Sequence, residues 1–538
     1  MKHLLLAAVP LLLWSCTSSA PKLTDTQAQT QAGIVEGQKE GDIVVYRGVP
    51  FAAPPVGELR WQEPQPVVAW EGVRQCTEFG DDPMQPNLFG DMNFLGKAKS
   101  EDCLYLNIWA PVQAEKAPVL IYFNGGGLMC GSGSEPRYAG DSLAHHGIVA
   151  ITANYREGMF GFLAHPALTA RSAHHTSGNY GALDQVAAIQ WVKDNIAAFG
   201  GDPDHITIVG ESAGSFSTSM LMASPLSRGN LAGVMGSSGA ELKPSTAKSL
   251  AEGEAMGQAL VEKTGYTIEQ LLQMSADSVQ MLLPPTGMSS FLVDGYLLDA
   301  TVDEIFAQGK QAQVPLLLGW NSMEAHPMQS LAGNAPTLKN FKAAMEPRFG
   351  SRTDEVFEAF GIKTDADVLG WGAIELQGAL FTAFPTWKWA VLHKASGQPI
   401  YRYKYNHARP AMAIEGKVAG LAGGLKDADD EDAVAAPEAP ENAITGAVHS
   451  ADIEYAMGNL ATNTAFAWNE DDYKVQNTFM NYYINFIKYF NPNGEGLAPW
   501  TSMTESEVAP VMQIDVVSGE KVDDQLEAAY KLLDEILK

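Results

Sequence analysis

The sequence predicts an α/β fold in which helices cover a large, mostly parallel β-sheet. Two observations carry this prediction. Short apolar runs that end at Gly or Asn are typical of strands buried on both faces of a sheet. Helix-like segments separate the runs, and strands that alternate with helices favour parallel pairing. The predicted strands are residues 119–123, 148–153, 206–209, 315–318 and 401–405.

The individual elements differ in character. Residues 119–123 (VLIYF) are uniformly apolar, whereas residues 401–405 (YRYKY) alternate, as expected of a strand nearer the edge of the sheet. Residues 180–199 carry apolar side chains at an approximately helical period, and two glycines then end the helix. Because parallel sheets place their active sites at the carboxyl ends of strands, the loops after these runs are where functional residues are expected.

Composition limits the classes of function. The chain has 538 residues, of which 46% are hydrophobic and 18% charged, which is typical of a globular protein with a sizeable core. Its 35 Lys and Arg residues against 63 Asp and Glu residues give a formal net charge of −28. A surface of this charge repels phosphate, so nucleic acid is excluded as a partner.

The N-terminus predicts export. A short basic start and an apolar run over residues 4–13 resemble a signal peptide, and Cys16 stands where bacterial lipoproteins are acylated. We therefore expect residues 1–15 to be removed, Cys16 to carry a lipid, residues 16–32 to form a polar linker and residues 33–538 to form one folded domain. Cleavage after Ala20 is the alternative. The expected location is the periplasm, the outer membrane or the medium, with the lipid as the only membrane contact.

A second biased segment lies late in the chain. Residues 427–441 contain many carboxylates and no Lys or Arg, together with two prolines. Clustered like charges repel one another and resist burial, which predicts an exposed loop. A cation-binding loop is the alternative.

The segment Gly210-Glu-Ser-Ala-Gly214 fits the nucleophile-elbow pattern G-x-S-x-G. It follows a predicted strand and precedes residues 213–222, which suit a helix, and this is the context the pattern requires. Glycines flank the Ser because a sharp strand-to-helix turn leaves no room for Cβ atoms. Ser212 is therefore the predicted nucleophile.

Acyl transfer also needs N–H donors for the oxygen that becomes negative. Three glycines, residues 125–127, follow another predicted strand, where a backbone without side chains can turn its N–H groups to a substrate. Together with the N–H of Ala213, at a helix N-terminus, they predict a three-donor oxyanion hole. Taken alone, the glycines would predict only a turn.

A Ser nucleophile needs a base, and the base needs an acid that orients it. His449 is the best-placed of eleven His residues, because it comes after all the predicted strands. Glu324 lies between the Ser and the His and follows the strand at 315–318, on the expected active-site side. Spacing alone does not choose Glu324 over Asp294.

The Cys residues leave two pairings open. If Cys16 carries a lipid, three Cys remain in an oxidising compartment, which favours one disulfide and one buried thiol. Cys103 could pair with Cys76 or with Cys130.

At these residues the sequence resembles the type-B carboxylesterase family, which includes cholinesterases and bacterial para-nitrobenzyl esterases. The resemblance runs from about Gly33 to the C-terminus, and its motifs occur in order. They are residues 46–61, 101–109, 125–127, 154–156, 161–163, 178–181, 199–203, 210–214, 293–295 and 321–324, and His449.

The resemblance implies an α/β-hydrolase fold, a Ser212–Glu324–His449 triad and oxyanion donors at Gly126, Gly127 and Ala213. It implies no metal and no cofactor. It also implies that Cys103 forms a disulfide with an earlier Cys, which here is Cys76. Three positions depart from the family pattern: Asn124 precedes the glycines, Ala325 follows the acid where Gly is usual, and Cys76 lies several residues before the usual partner position.

The predicted function is hydrolysis of small-molecule carboxylic esters through an acyl-serine intermediate. A specialised hydrolase of the same fold, for a feruloyl ester, lactone, amide or toxin ester, is the first alternative. A non-catalytic binding module is the second. The oligomeric state is left open by the sequence.

Overall fold

The structure is a computed structural model, and it describes residues 23–88, 92–244, 246–283, 290–414, 416–419, 425–427 and 444–537. The predicted signal peptide (1–15) and Cys16 lie outside these residues. So does the acidic segment, apart from its first residue.

An eleven-stranded sheet organises the chain. Its strands are β1 (Gln38–Glu40), β2 (Ile43–Pro50), β3 (Tyr105–Pro111), β4 (Ala117–Phe123), β5 (Val149–Ala153), β6 (Gly201–Gly210), β7 (Gly233–Ser237), β8 (Leu316–Asn321), β9 (Ile400–Tyr405), β10 (Val511–Ile514) and β11 (Gly519–Lys521). Their spatial order is β11-β10-β9-β8-β7-β6-β4-β5-β3-β2-β1. Strands β4 to β10 form parallel pairs, and antiparallel pairs close both ends of the sheet. The mostly parallel sheet is therefore confirmed.

Alternate residues of the central strands enter two different cores. In β4, Val119 and Ile121 pack into one hydrophobic cluster, and Leu120 and Tyr122 pack into another on the opposite face. Both clusters are closed to solvent. The run at 119–123 is uniformly apolar because helices cover both faces of the sheet and bury the side chains on each face, as predicted.

Seventeen α-helices and several 3₁₀ turns surround the sheet in the described part of the chain. They are α1 (Asp141–His145), α2 (Gly158–Phe162), α3 (Pro166–Thr169), α4 (Tyr180–Asn195), α5 (Ala213–Ala223), α6 (Leu250–Thr264), α7 (Ile268–Leu272), α8 (Ala276–Leu282), α9 (Val302–Ala307), α10 (Met328–Leu331), α11 (Leu338–Phe349), α12 (Thr353–Ala359), α13 (Trp371–Gly378), α14 (Phe384–His393), α15 (Ile453–Met457), α16 (Glu470–Tyr489) and α17 (Asp524–Ile536). None of the helices described is long and apolar enough to cross a bilayer.

All five predicted strands and the predicted helix at 180–199 are present. The helix is α4, and a 3₁₀ turn over Ile196–Phe199 extends it as far as Gly200, which adopts a left-handed conformation (φ 82°). Ordered structure also begins before residue 33. Within the predicted linker, Gln27–Gln29 form a strand that pairs with Ile34–Glu36.

The predicted Cys76–Cys103 disulfide is wrong for this structure, because both residues are buried free thiols. The two thiols have different surroundings. Cys76 lies beside the carbonyl of Gly48 and near Arg74. Cys103 is completely buried near Asp184 and Arg156, and that burial raises the pKa of its thiol well above the usual value. Burial keeps each thiol protonated, which leaves it unreactive toward oxidants.

A buried ion pair joins the loop after β5 to α4. The guanidinium of Arg156 donates to both carboxylate oxygens of Asp184, at 2.8 Å from Nε and 2.7 Å from Nη2, and the backbone N–H of Arg156 adds a third bond at 3.0 Å. Both side chains are almost fully buried. Each charge therefore depends on the other for its solvation.

Arg156→Met should lower the free energy of unfolding by about 3–5 kcal/mol, because it leaves the Asp184 carboxylate buried without a counter-charge. Urea unfolding followed by tryptophan fluorescence measures the change. The matched control is Arg352→Met, which removes a solvent-exposed pair with Glu355 and should leave the unfolding midpoint nearly unchanged. Equal effects of the two variants would contradict the assignment.

Candidate active site

Ser212 occupies a strained turn between β6 and α5. Its backbone has φ 54° and ψ −125°, a conformation that side chains rarely adopt. A Cβ atom on Gly210 would overlap the backbone of Gly214, and one on Gly214 would overlap the carbonyl of Phe123. The two glycines of the G-x-S-x-G pattern are thus required by contacts, and the turn raises Ser212 above the carboxyl edge of the sheet.

Ser212, His449 and Glu324 form a continuous line of polar contacts. The Ser212 hydroxyl lies 3.0 Å from Nε2 of His449, and Nδ1 of the same ring lies 2.6 Å from Oε2 of Glu324. The His and the Glu are buried, whereas Ser212 is partly open to a cavity. The structure therefore brings together residues that lie far apart in the chain. Glu324 follows Ser212 by 112 positions, and His449 follows Glu324 by 125 positions.

Hydrogen bonds from two loops fix the positions of Glu324 and His449. Glu324 follows β8, and its Oε1 accepts hydrogen bonds from the backbone N–H of Asn321 (2.6 Å) and from the hydroxyl of Ser238 (2.5 Å). The amide of Asn321 donates to the carbonyl of Val448, next to His449 (2.8 Å). The carboxylate and the imidazole are thus oriented by groups that are themselves bonded.

The oxyanion residues predicted from sequence lie at the same cavity. Gly126 (φ 111°) and Gly127 (φ 69°) adopt left-handed backbone conformations, and a Cβ on Gly126 would overlap the carbonyl of Cys130. Ala213 is the first residue of α5. The N–H groups of Gly126, Gly127 and Ala213 find no acceptor among the described residues, so they are available to a ligand in the cavity.

Asn124 has a structural role in this loop. Its amide donates to Oε1 of the buried Glu157 (3.0 Å) and to the carbonyl of Gly125 (3.0 Å). Its own carbonyl accepts from the hydroxyl of Tyr155 (2.9 Å). Asn124 departs from the family pattern, but its side chain still anchors Gly125, the first residue of the glycine turn.

Glu211, which the sequence analysis did not single out, adds a second carboxylate beside the imidazole. Its Oε1 lies 3.3 Å from Nε2 of His449 and accepts a hydrogen bond from the hydroxyl of Ser450 (2.7 Å). Burial raises the pKa of Glu211 to about 7, against the opposing effect of the His449 charge. The only signal in the sequence was an acidic residue directly before Ser212.

The pKa of His449 results from opposing effects. Burial by itself favours the neutral ring, but the carboxylates of Glu211 and Glu324 outweigh it and raise the pKa of His449 above its usual value. The two carboxylates therefore stabilise the protonated form of the His449 ring.

Glu211→Gln should move the acidic limb of the kcat/KM profile to lower pH. Removing one carboxylate removes part of the stabilisation of the imidazolium, so the pKa of His449 falls and the ring stays neutral, and able to act as a base, at lower pH. Rates measured from pH 5 to 9 test this shift. Glu470→Gln, at an exposed position, is the control. An acidic limb that stays at the wild-type pH in Glu211→Gln would contradict the coupling between Glu211 and His449.

A cavity of about 570 Å³ opens beside the Ser212 hydroxyl. The oxyanion residues and the catalytic candidates line its floor, and apolar side chains including Phe216 and Phe381 line its walls. The ring of Phe381 packs edge-on against His449, with centroids 4.9 Å apart. A volume of this size accommodates a drug-sized ester.

Asp294, the alternative acid, lies elsewhere and has a different role. One of its oxygens accepts from the backbone N–H groups of Tyr296 and Leu297, at 2.9 and 2.8 Å. The other accepts from Thr176 (2.6 Å) and Asn179 (2.8 Å). It therefore closes a turn and does not contact His449.

A family model described as "Carboxylesterase family" matches residues 24–531. This chain belongs to the carboxylesterase family. The match covers almost the whole described structure, so this carboxylesterase is a carboxylic ester hydrolase of the α/β-hydrolase fold, as the resemblance in the sequence implied.

Individual relatives support this family assignment. The chain is 37% identical to the fumonisin B1 esterase of Sphingopyxis macrogoltabida over 72% of this chain and 71% of that protein. It is 32% identical to liver carboxylesterase 1 of Oryctolagus cuniculus, over 92% and 91% of the two chains. A crystal structure of a Geobacillus stearothermophilus carboxylesterase superposes with a TM-score of 0.78 at 29% identity, covering 94% of this carboxylesterase and 100% of that chain.

Proposed function

We propose that this carboxylesterase cleaves esters at Ser212, with His449 as general base and Glu324 as the group that orients it. The observation that carries this proposal is the unbroken line of contacts from the Ser hydroxyl through the imidazole to the carboxylate, at the floor of a cavity.

The geometry supports an acyl-enzyme mechanism. Nε2 of His449 takes the proton of the Ser212 hydroxyl as the oxygen attacks the ester carbonyl, and it then returns that proton to the leaving alcohol. In the second half, the same nitrogen removes a proton from water, which attacks the acyl-serine and releases the acid. Glu324 holds Nδ1–H throughout and stabilises the positive ring.

The tetrahedral intermediates carry a negative oxygen. Three N–H groups at the cavity have no acceptor among the described residues and could bind it. We propose that Gly126, Gly127 and Ala213 supply these donors. Each is held by backbone geometry, so no reorganisation is needed as the charge develops. The N-terminus of α5 adds the favourable end of its dipole at Ala213.

A series of para-nitrophenyl esters, from acetate to decanoate, tests the proposal when it is measured with and without an organophosphate serine inhibitor. Turnover that the inhibitor abolishes, with the phosphonyl adduct located on Ser212 by peptide mass spectrometry, is the expected result. An adduct on another residue, or turnover that survives full labelling of Ser212, would overturn the assignment.

A specialised ester substrate is a second candidate function. It is favoured by the 37% identity to a protein named fumonisin B1 esterase, which exceeds the 32% identity to the liver enzyme. Hydrolysis of fumonisin B1, followed by mass spectrometry, tests it. A kcat/KM for fumonisin B1 no higher than for the simple esters would reject this candidate.

We also propose that the protein is exported and that Cys16 carries its lipid anchor, as the first sixteen residues suggest. Expression of the full chain in a bacterium that processes lipoproteins, with labelled palmitate, tests this proposal. Label that is retained in Cys16→Ser would overturn the anchor, and the same variant released in soluble form outside the cytoplasm would still support export.

A further inference from the structure

One wall of the catalytic cavity is polar, and the mechanism does not use it. It is formed by the segment after β7, which contributes Glu241, Thr246 and Lys248 to the lining. These three residues are called the polar wall below. The rest of the lining beyond the catalytic groups is largely apolar, so the polar wall stands out chemically.

Glu241 is a buried carboxyl group without a partner. Its side chain is 5% exposed, and no described residue donates a hydrogen bond to it. Its backbone N–H, in contrast, is bound to the hydroxyl of Ser219 at 2.8 Å, which holds its position. A buried carboxyl without a hydrogen bond is costly, so a ligand in the cavity is the natural partner.

Lys248 is held where it can face such a ligand. Its backbone pairs with Leu292 in a short parallel ladder. No carboxylate lies within ion-pair distance of its ammonium in the described part of the chain, and it is the only Lys or Arg that lines the cavity there. The hydroxyl of Thr246, between the two, is also buried without a partner among the described residues.

The charges around Glu241 decide its protonation. Burial raises the pKa of Glu241 to about 8, with a further upward contribution from Asp303 and a downward one from Lys248. Asp303 itself lies 3.4 Å from the ammonium of Lys388. At neutral pH Glu241 is therefore mostly an uncharged O–H donor, and it lines the same cavity as the ammonium-bearing Lys248. Two donors, one of them cationic, suit an anionic acceptor.

The segment that carries the polar wall starts beside the nucleophile. A Cβ on Gly239, two residues before Glu241, would overlap the ring of Phe216 and meet the carbonyl of Ser212. The segment therefore packs against α5, beside the nucleophile. The leaving alcohol must sit at Nε2 of His449, which is flanked by Phe381.

We propose that Glu241, Thr246 and Lys248 form a carboxylate-binding subsite on the acyl side of the reacting bond, and that the preferred substrates are half-esters of dicarboxylic acids whose free carboxylate binds there. This inference rests on the proposed role of Ser212, because it places the acyl group relative to that residue. The overall negative charge of the chain opposes the approach of such anions, whereas the subsite binds them once they enter.

Matched esters test the subsite. Mono-para-nitrophenyl adipate and suberate differ from para-nitrophenyl hexanoate and octanoate only at the end of the acyl chain, so the ratio of their kcat/KM values reports the free carboxylate. At one chain length or both, the wild-type ratio should exceed one, and Lys248→Met should lower it about tenfold. The control is the exposed Lys474→Met, for which the ratio should stay at the wild-type value.

A wild-type ratio below one at both lengths, or a ratio that Lys248→Met leaves unchanged, would overturn the subsite. Failure of the proposed function looks different, because Ser212→Ala would then retain turnover of all four esters. Turnover of the two neutral esters by Lys248→Met shows that the variant is folded.

The pH dependence of the same ratio tests Glu241 separately. Below the pKa of Glu241 its O–H donates to the substrate carboxylate, and above it the two anions repel, so the ratio should fall between pH 7 and 9. Titration of His449 affects both members of a pair and cancels in the ratio. Glu241→Gln, which cannot ionise, should abolish the fall. A fall that persists in Glu241→Gln would assign the effect to another group.

Discussion

Replacing Ser212 by Ala should lower kcat for para-nitrophenyl esters by roughly a millionfold, to a residual rate set by the oxyanion donors and by substrate binding. The reason is that no other hydroxyl lies within hydrogen-bond distance of Nε2 of His449 in the described part of the chain. Without Ser212 the imidazole has only water to activate. Stopped and continuous assays at high enzyme concentration measure the residual turnover.

The fold should survive this change. Ser212 donates its backbone N–H to the carbonyl of Ser237 (2.9 Å), and Ala keeps that bond. Thermal unfolding should therefore be unaltered or slightly improved, since polar catalytic groups are held at some cost to stability. Ser351→Ala, at an exposed position far from the cavity, is the control for purification. Activity of Ser212→Ala equal to that of this control would contradict the nucleophile assignment.

Glu324→Gln should lower kcat by roughly ten-thousandfold while leaving KM for neutral esters within a few-fold. The amide cannot stabilise the imidazolium, and it can present an N–H to the ring where the carboxylate presented only acceptors. The hydroxyl of Ser238 and the backbone N–H of Asn321 both donate to the other oxygen. They keep the amide oxygen on their side and turn the NH₂ toward His449.

Asp294→Asn is the matched comparison, because Asp294 was the other acid that chain order allowed. It accepts four hydrogen bonds of 2.9 Å or less in a turn, so its loss should lower the unfolding temperature and affect kcat much less. A larger loss of kcat in Asp294→Asn than in Glu324→Gln would reverse the assignment.

Local sequence patterns were sufficient to predict the features that depend only on residues close by in the chain. The apolar run at 119–123 predicted a strand buried on both faces, and β4 has this environment. The glycines at 210 and 214 predicted a sharp turn at Ser212, because adjacent backbone leaves no space there. Such features depend on neighbours a few residues away, and the sequence displays those directly.

Burial of polar side chains was harder to predict. Residues 401–405 alternate like a strand with one solvated face, yet Arg402 in β9 is 1% exposed. Its guanidinium lies against the carbonyl of Ala509 and near Glu527, at the start of α17. A C-terminal helix more than a hundred residues away covers this face, and nothing within the strand encodes its presence.

The sequence by itself determined the fold class, and it predicted Ser212 as the nucleophile together with a small set of acids and bases that could serve it. Only the tertiary structure decided which acid contacts His449, and that Glu211 adds a second carboxylate to it. It also showed that Cys76 and Cys103 are buried free thiols. The physical reason is common to all three: hydrogen bonds and charge interactions act over a few ångströms in space, and loops far apart in the chain meet at one edge of the sheet.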